Sequence, residues 1–159
     1  MTYTGLKMFP SITQLKNEQL LHSGSTLKCS GILARSANNL IYLDVDDAYI
    51  HHLFPLLTQP GINKPNYFGN GMAGAHISVI YLEENRVFNP QDLGKEYLFK
   101  INELVIAEMN LKKYFVLLAN CPDLVQLRAK YGLAKQLNFK GYWIDLHITI
   151  AVSRLDKAL

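Results

Sequence analysis

Cysteine is scarce. Cys29 and Cys121 are the only two among 159 residues, too few for a CxxC pair, a four-thiolate zinc site or a dense disulfide framework. One mutual bridge is arithmetically open, and two buried free thiols are the expectation. HExxH spacing is absent. His51 and His52 are adjacent and face different directions on the helix expected there, and His22 stands alone near the N-terminus, so no metal is expected. Gly69, Gly71 and Gly74 spell neither GxxxxGK[ST] nor GxGxxG after a strand, and no nucleotidyl-transfer lysine motif occurs, so no cofactor is expected either. No stretch approaches the roughly 20 apolar residues that span a bilayer. The opening MTYTGLKMFPSITQL lacks a basic start followed by a continuous apolar run. A soluble cytoplasmic protein with no membrane partner is the expectation.

What is present suits folding. The chain is 49% hydrophobic and 18% charged, which fits one compact domain, or two small lobes sharing a core. A net charge of +3 permits an anionic ligand but is far too small for coating double-stranded DNA. Positive charge gathers late: Lys112–Arg154 holds seven basic residues and two acidic ones, a local +5.

Residues 1–27 read as an N-terminal extension or peripheral helix, with a short apolar pattern over Ile12–Leu21, and residues 28–159 as a single domain. Ser30–Ala34 and Leu40–Val45 are short aliphatic strands about an Asn38-Asn39 turn. Asp46 or Asp47 caps a helix running toward Pro60-Gly61, with Pro55 a weak point inside it. Gln59–Gly74 is a long glycine- and proline-rich connection leading into a strand over His76–Leu82. Extended segments follow over Lys95–Ala107 and Lys112–Leu118. A helix then opens at Pro122 and ends at Gly132, and a final strand covers Tyr142–Val152. The order β-β-α-loop-β-β-β-α-β is an α+β pattern of mainly antiparallel strands, and it contains a rough internal duplication.

The duplication carries the chemistry. Gly74-Ala75-His76-Ile77-Ser78-Val79-Ile80 and Asp145-Leu146-His147-Ile148-Thr149-Ile150 both spell histidine, aliphatic, hydroxyl, aliphatic. Strand alternation turns His76 and Ser78 one way and Ile77 and Val79 the other, and His147 and Thr149 repeat this against Ile148 and Ile150. With the two polar faces on a common cleft, one imidazole takes a proton from water or a hydroxyl while the other protonates a leaving oxygen. Ser78 and Thr149 can bind non-bridging phosphate oxygens. In-line displacement at phosphorus needs an acid and a base on opposite sides, which accounts for two copies.

These paired motifs, 71 residues apart, resemble the 2H phosphoesterase superfamily, which includes 2′-5′ RNA ligase-like proteins and cyclic nucleotide phosphodiesterases. The resemblance runs from about Lys28 to Arg154 and implies two similar α+β lobes with mainly antiparallel sheets around a central cleft. It implies His76 and His147 as catalytic, with Ser78 and Thr149 as phosphate-binding. It further implies that His147 activates water and His76 protonates the leaving oxygen. The phrases Gly69–Ser78 and Asn138–Trp143 are similar to a little-characterised RNA-repair-like branch. The implied partner is an RNA terminus, a short oligonucleotide or a small cyclic nucleotide.

Five further residues are candidates for substrate contact. By parity along a continuous last strand, Trp143 shares the face of His147 and either stacks on a base or packs in the core. Lys140 and Arg154 flank that strand as phosphate contacts or solvated charges. Tyr67 and Phe68 either wall the cleft or pin the glycine-rich loop. Two competing readings remain: a phosphate- or RNA-end-binding module without turnover, and a structural partner protein with no concave site.

Overall fold

The computed structural model describes residues 8–85 and 87–154. Its strands are β1 (Ser11–Gln14), β2 (Ser30–Arg35), β3 (Ile41–Asp44), β4 (His76–Ile80), β5 (Glu96–Leu98), β6 (Lys100–Met109), β7 (Lys112–Asn120), β8 (Leu137–Phe139), β9 (Tyr142–Ile144) and β10 (His147–Arg154). The helices are α1 (Glu18–Ser25), α2 (Ala48–His51) and α3 (Pro122–Lys130). Eight strands form one antiparallel sheet in the order β1-β6-β7-β10-β4-β3-β2-β5, and β8 and β9 make a separate hairpin.

The duplication read from the sequence is visible in this order. Two successive strands, a helix and a returning strand occur as β2-β3-α2-β4 and again as β6-β7-α3-β10. In each copy the returning strand pairs antiparallel to the second strand, and the copies meet where β4 lies beside β10. The equivalence extends to single bonds. The Val45 N–H donates to the Ala75 carbonyl in one copy, and the Ala119 N–H donates to the Leu146 carbonyl in the other.

Burial follows alternation. Ile77, Val79 and Ile148 are fully buried, whereas His76, Ser78 and His147 are partly open on the other face. A side chain of this size contributes roughly 1.5–3 kcal/mol on full burial, so the aliphatic positions hold the motif strands against the core while the polar positions stay available. Thr149 is buried among the motif polar residues, and Arg128 of α3 is a fully buried cation. It is neutralised by Glu84 at 2.7 Å and bonded to the carbonyls of Val79, Ala134 and Gln136.

Several expectations need correction. The Ile12–Leu21 pattern is not one helix: Ser11–Gln14 pairs with β6, and the helix begins after Asn17, whose side chain accepts from the Leu20 N–H. The helix after Asp47 stops at His51, and Pro55 falls in a separate 3-10 turn over Phe54–Leu56. Lys95–Ala107 divides into β5 and β6. The last strand is broken at Asp145-Leu146 into β9 and β10, because Tyr142–Ile144 pairs with β8 instead of the main sheet. Cys29 is exposed and Cys121 buried, both as free thiols.

Candidate functional site

The register builds the site. Ile148 lies opposite Ile77, which in an antiparallel pair makes Ser78 the cross-strand neighbour of His147 and Thr149 that of His76. All four polar side chains share one face, and the two histidines are diagonal neighbours, a relation that spaces backbones by about 7–8 Å. They line a common cavity with Tyr67, Tyr81, Met109, Tyr114 and Phe139. The cavity measures about 40 Å³. At roughly 10–15 Å³ per water-sized probe, that is room for about three oxygen atoms.

Both imidazoles are oriented in the same way. The Nδ1–H of His76 donates to the Gly74 carbonyl and that of His147 to the Asp145 carbonyl, each at 2.7 Å. A carbonyl only accepts, so Nδ1 carries the proton and the neutral ring keeps Nε2 as its acceptor. Gly74 is needed for this arrangement. Its φ is +68°, and a Cβ there would stand 2.5 Å from Asp47 Oδ1, the atom that accepts the Ala75 N–H at 2.9 Å. Asp47 thereby fixes the peptide whose carbonyl orients His76. The His76 ring is further held by Tyr67 and Tyr42, with centroids at 4.7 and 5.6 Å.

Electrostatics set the proton inventory. Burial lowers the pKa of His76, opposed by its bond to Gly74 and by Asp44. Burial likewise lowers that of His147, with the charge of His76 adding to the effect, and the bond to Asp145 opposes it. Both rings are therefore mainly neutral at pH 7. Burial raises the phenol pKa values of Tyr67, Tyr81 and Tyr114, although Tyr67 also interacts with Thr149 and Tyr81 with Ser78. These phenols stay protonated as donors. No carboxylate, lysine or arginine is among the described residues lining the cavity, so a bound anion would meet hydroxyl donors and two imidazoles able to take up a proton.

Of the remaining sequence candidates, Tyr67 lines the cavity. Phe68 instead packs on His51 at 4.5 Å and lines a neighbouring recess. Lys140 lies 5.3 Å over the Phe139 ring, next to the cavity but not among its lining residues. Trp143 sits on β9 opposite Asn138 and is not in the cavity wall, since the strand break removes the parity that tied it to His147. Arg154 is at the far end of β10, about 23 Å along the strand, and lines another recess with Gln59 and Lys113. Sequence reasoning missed Tyr81, Met109, Tyr114 and Phe139. Tyr114 alternates with Val116 and Leu118 on β7 and was findable had the β7-β10 pairing been known. Tyr81 lies just past β4 and Phe139 on the side hairpin, where no strand parity applies.

Among the described residues no three His, Cys, Asp or Glu side chains gather as a metal site, and no helix is long and apolar enough to cross a membrane. No curated protein matches the chain, and no solved structure does. Residues 41–158 match the family described as Swiss Army Knife, 2H phosphoesterase domain. That span contains both motif strands, both helices that back them and every residue lining the shared cavity, and the chain accordingly belongs to the Swiss Army Knife 2H phosphoesterase family.

Proposed function

We propose that the protein is a phosphodiesterase that opens a cyclic phosphate or a 2′-5′ linkage by two-histidine acid-base catalysis. The observation that carries this reading is the convergence of His76, Ser78, His147 and Thr149 on one phosphoryl-sized cavity. The reaction needs one imidazole as base and the other as acid. His147, neutral with Nε2 open, takes a proton from the attacking water; His76, once protonated, gives one to the leaving oxygen. Ser78 and Thr149, with the Tyr67 and Tyr81 hydroxyls beside them, donate to the non-bridging oxygens as charge builds there. Both proton transfers are supplied by side chains, so turnover is expected to persist in EDTA.

The two halves of the sheet, meeting at the single Ile148↔Ile77 bridge, support a bilobal reading with the cavity at the join. The linkage would be carried by an RNA end, a short oligonucleotide or a small nucleotide, and similarity of Gly69–Ser78 to an RNA-repair-like branch makes RNA ends one class to assay. Two unbridged thiols, one exposed, suit a reducing cytoplasm. The test is a panel of 2′,3′-cyclic phosphates and 2′-5′ and 3′-5′ oligonucleotides, with the position of the product phosphate resolved. Turnover abolished by His76→Ala and by His147→Ala supports the enzyme; binding without turnover across the panel replaces it with a phosphate-binding module.

A further inference from the structure

The histidine cavity is too small for more than a phosphoryl group, so the rest of any substrate must lie in an adjoining space. Two recesses share a wall with it. One, of about 410 Å³, continues past Tyr67 and is lined by Asp44, Asp47, Phe68 and the glycine-rich loop. The other, of about 400 Å³, continues past Tyr81 and Phe139 and is completed by Glu83, Glu84, Asn138, Lys140 and Gly141. Both fall in the volume range of small-molecule sites, but they differ in what they can accept. The first presents two carboxylates beside a site for an anion. The second presents two aromatic side chains, with centroids 5.6 Å apart, and among the described residues Lys140 is its one basic side chain.

The second recess is also built rigidly. Glu84 receives the Tyr81 N–H at 3.1 Å and the Asn138 N–H at 3.0 Å while Arg128 grips both of its carboxylate oxygens. One buried ion pair therefore fixes the two walls, which come from different halves of the chain. Because Arg128 neutralises Glu84, the charges left among the described residues of this recess are Glu83 and Lys140, which balance. An extended polynucleotide would bring a phosphate every nucleotide and needs cations to meet them. Among the described residues that line them, the Tyr81 side offers one and the Tyr67 side none.

We infer that the Tyr81-Phe139-Lys140 recess takes an uncharged ring-bearing group of nucleoside size attached to the phosphate, which makes the substrate a small cyclic or mononucleotide-like phosphodiester and not a polynucleotide end. This rests on the phosphodiesterase reading of the adjoining histidines. The apolar ring faces of Tyr81 and Phe139 receive the planar group, a contact that aromatic side chains make without regard to base identity. Glu83, Asn138 and Lys140 provide the polar rim that a heterocycle can use.

Two measurements test it. Adenosine, which lacks phosphate, is titrated into the full chain while backbone amide shifts are followed by NMR. Shifts at Glu83, Asn138 and Gly141 are expected, and an unmoved recess overturns the proposal. In parallel, kcat/KM is compared for a 2′,3′-cyclic mononucleotide, an oligonucleotide ending in the same cyclic phosphate, and ethylene cyclic phosphate, which has no base. The mononucleotide should match or exceed the oligonucleotide and lose less than about threefold between 50 and 200 mM salt. A preference for the oligonucleotide of more than about tenfold, falling steeply with salt, overturns the proposal. Glu83→Trp, which fills the recess from its exposed side, should reduce the mononucleotide-to-ethylene-phosphate preference by at least about tenfold. Recess shifts with adenosine but no turnover of any phosphodiester would uphold the site for the ring and sink the catalytic reading instead.

Discussion

His76 and His147 each donate to the backbone carbonyl two residues upstream, and each has a hydroxyl residue as cross-strand neighbour, so their individual removal should have similar consequences. Replacing either with alanine is expected to lower kcat about 10²- to 10⁴-fold. The double variant should lose little more, since one proton transfer without the other does not complete the displacement; steady-state kinetics on the most active substrate checks both. Gly74 affords a subtler change. Gly74→Ala puts a Cβ on Asp47 Oδ1 at a φ of +68°, costing about 1–2 kcal/mol in the backbone and displacing the carbonyl that orients His76. Catalysis is sensitive to ångström misplacement, so kcat should fall about 10²-fold while denaturant melts show a folded protein.

The pH profile belongs to the same scale. In the free protein both imidazoles titrate below the ordinary histidine value because they are partly buried. The optimum of kcat/KM, which reports the free enzyme, should therefore lie on the acid side of about pH 6.5. A phosphate between the rings favours their charged forms, so the alkaline limb of kcat should sit higher than that of kcat/KM. Sulfate does not change charge over this range, and its affinity should rise as pH falls from 8 to 6. The apparent values belong to the pair and not to either ring. A kcat/KM that increases from pH 6 to 8 would contradict this proton inventory.

At the scale of elements, the motif strands were legible because a two-residue period acts on consecutive positions: His76, Ile77, Ser78 and Val79 encode both faces of β4 without outside information. The side hairpin was not legible. Tyr142–Ile144 is as apolar as β10 and runs nearly into it, and only pairing with Leu137–Phe139 removes it from the main sheet. Trp143 was misplaced by that break, while Phe139 entered the cavity wall through it. Turn chemistry sets another element. Asn110 and Leu111 connect β6 to β7 with φ of 53° and 61°, the left-handed pair of a type I′ turn, in which glycine suits the second position. Leu111 is 72% exposed there and gains no burial to offset the backbone cost. Leu111→Gly should raise stability by about 0.5–1 kcal/mol, read from urea midpoints at constant m.

At the scale of the whole molecule, folding depends on pH in two separate windows, one set by the burial that keeps the histidines neutral and the other by the hydrogen bonds to Asp92. An unfolded chain protonates both imidazoles from about pH 6.5 downward, whereas the folded chain resists until lower pH. Across that interval the unfolded state binds more protons, so stability falls as pH falls. Asp92 acts further down. Hydrogen bonds from Lys130 and Tyr131 are the main causes that hold its carboxyl at about 2, and its side chain ties α3 to the segment before β5. Its contribution is present above the unfolded value of about 3.9 and is lost as pH drops toward 2. Urea midpoints taken from pH 8 to 2.5 should then show a first decline beginning near 6.5 and a second beginning near 4. The double variant His76→Gln, His147→Gln should flatten the first decline and leave the second, and Asp92→Asn should do the reverse. A first decline equally deep in the histidine variant would mean that the motif imidazoles are not held neutral by the fold, and the proton inventory assigned to the site would fail with it.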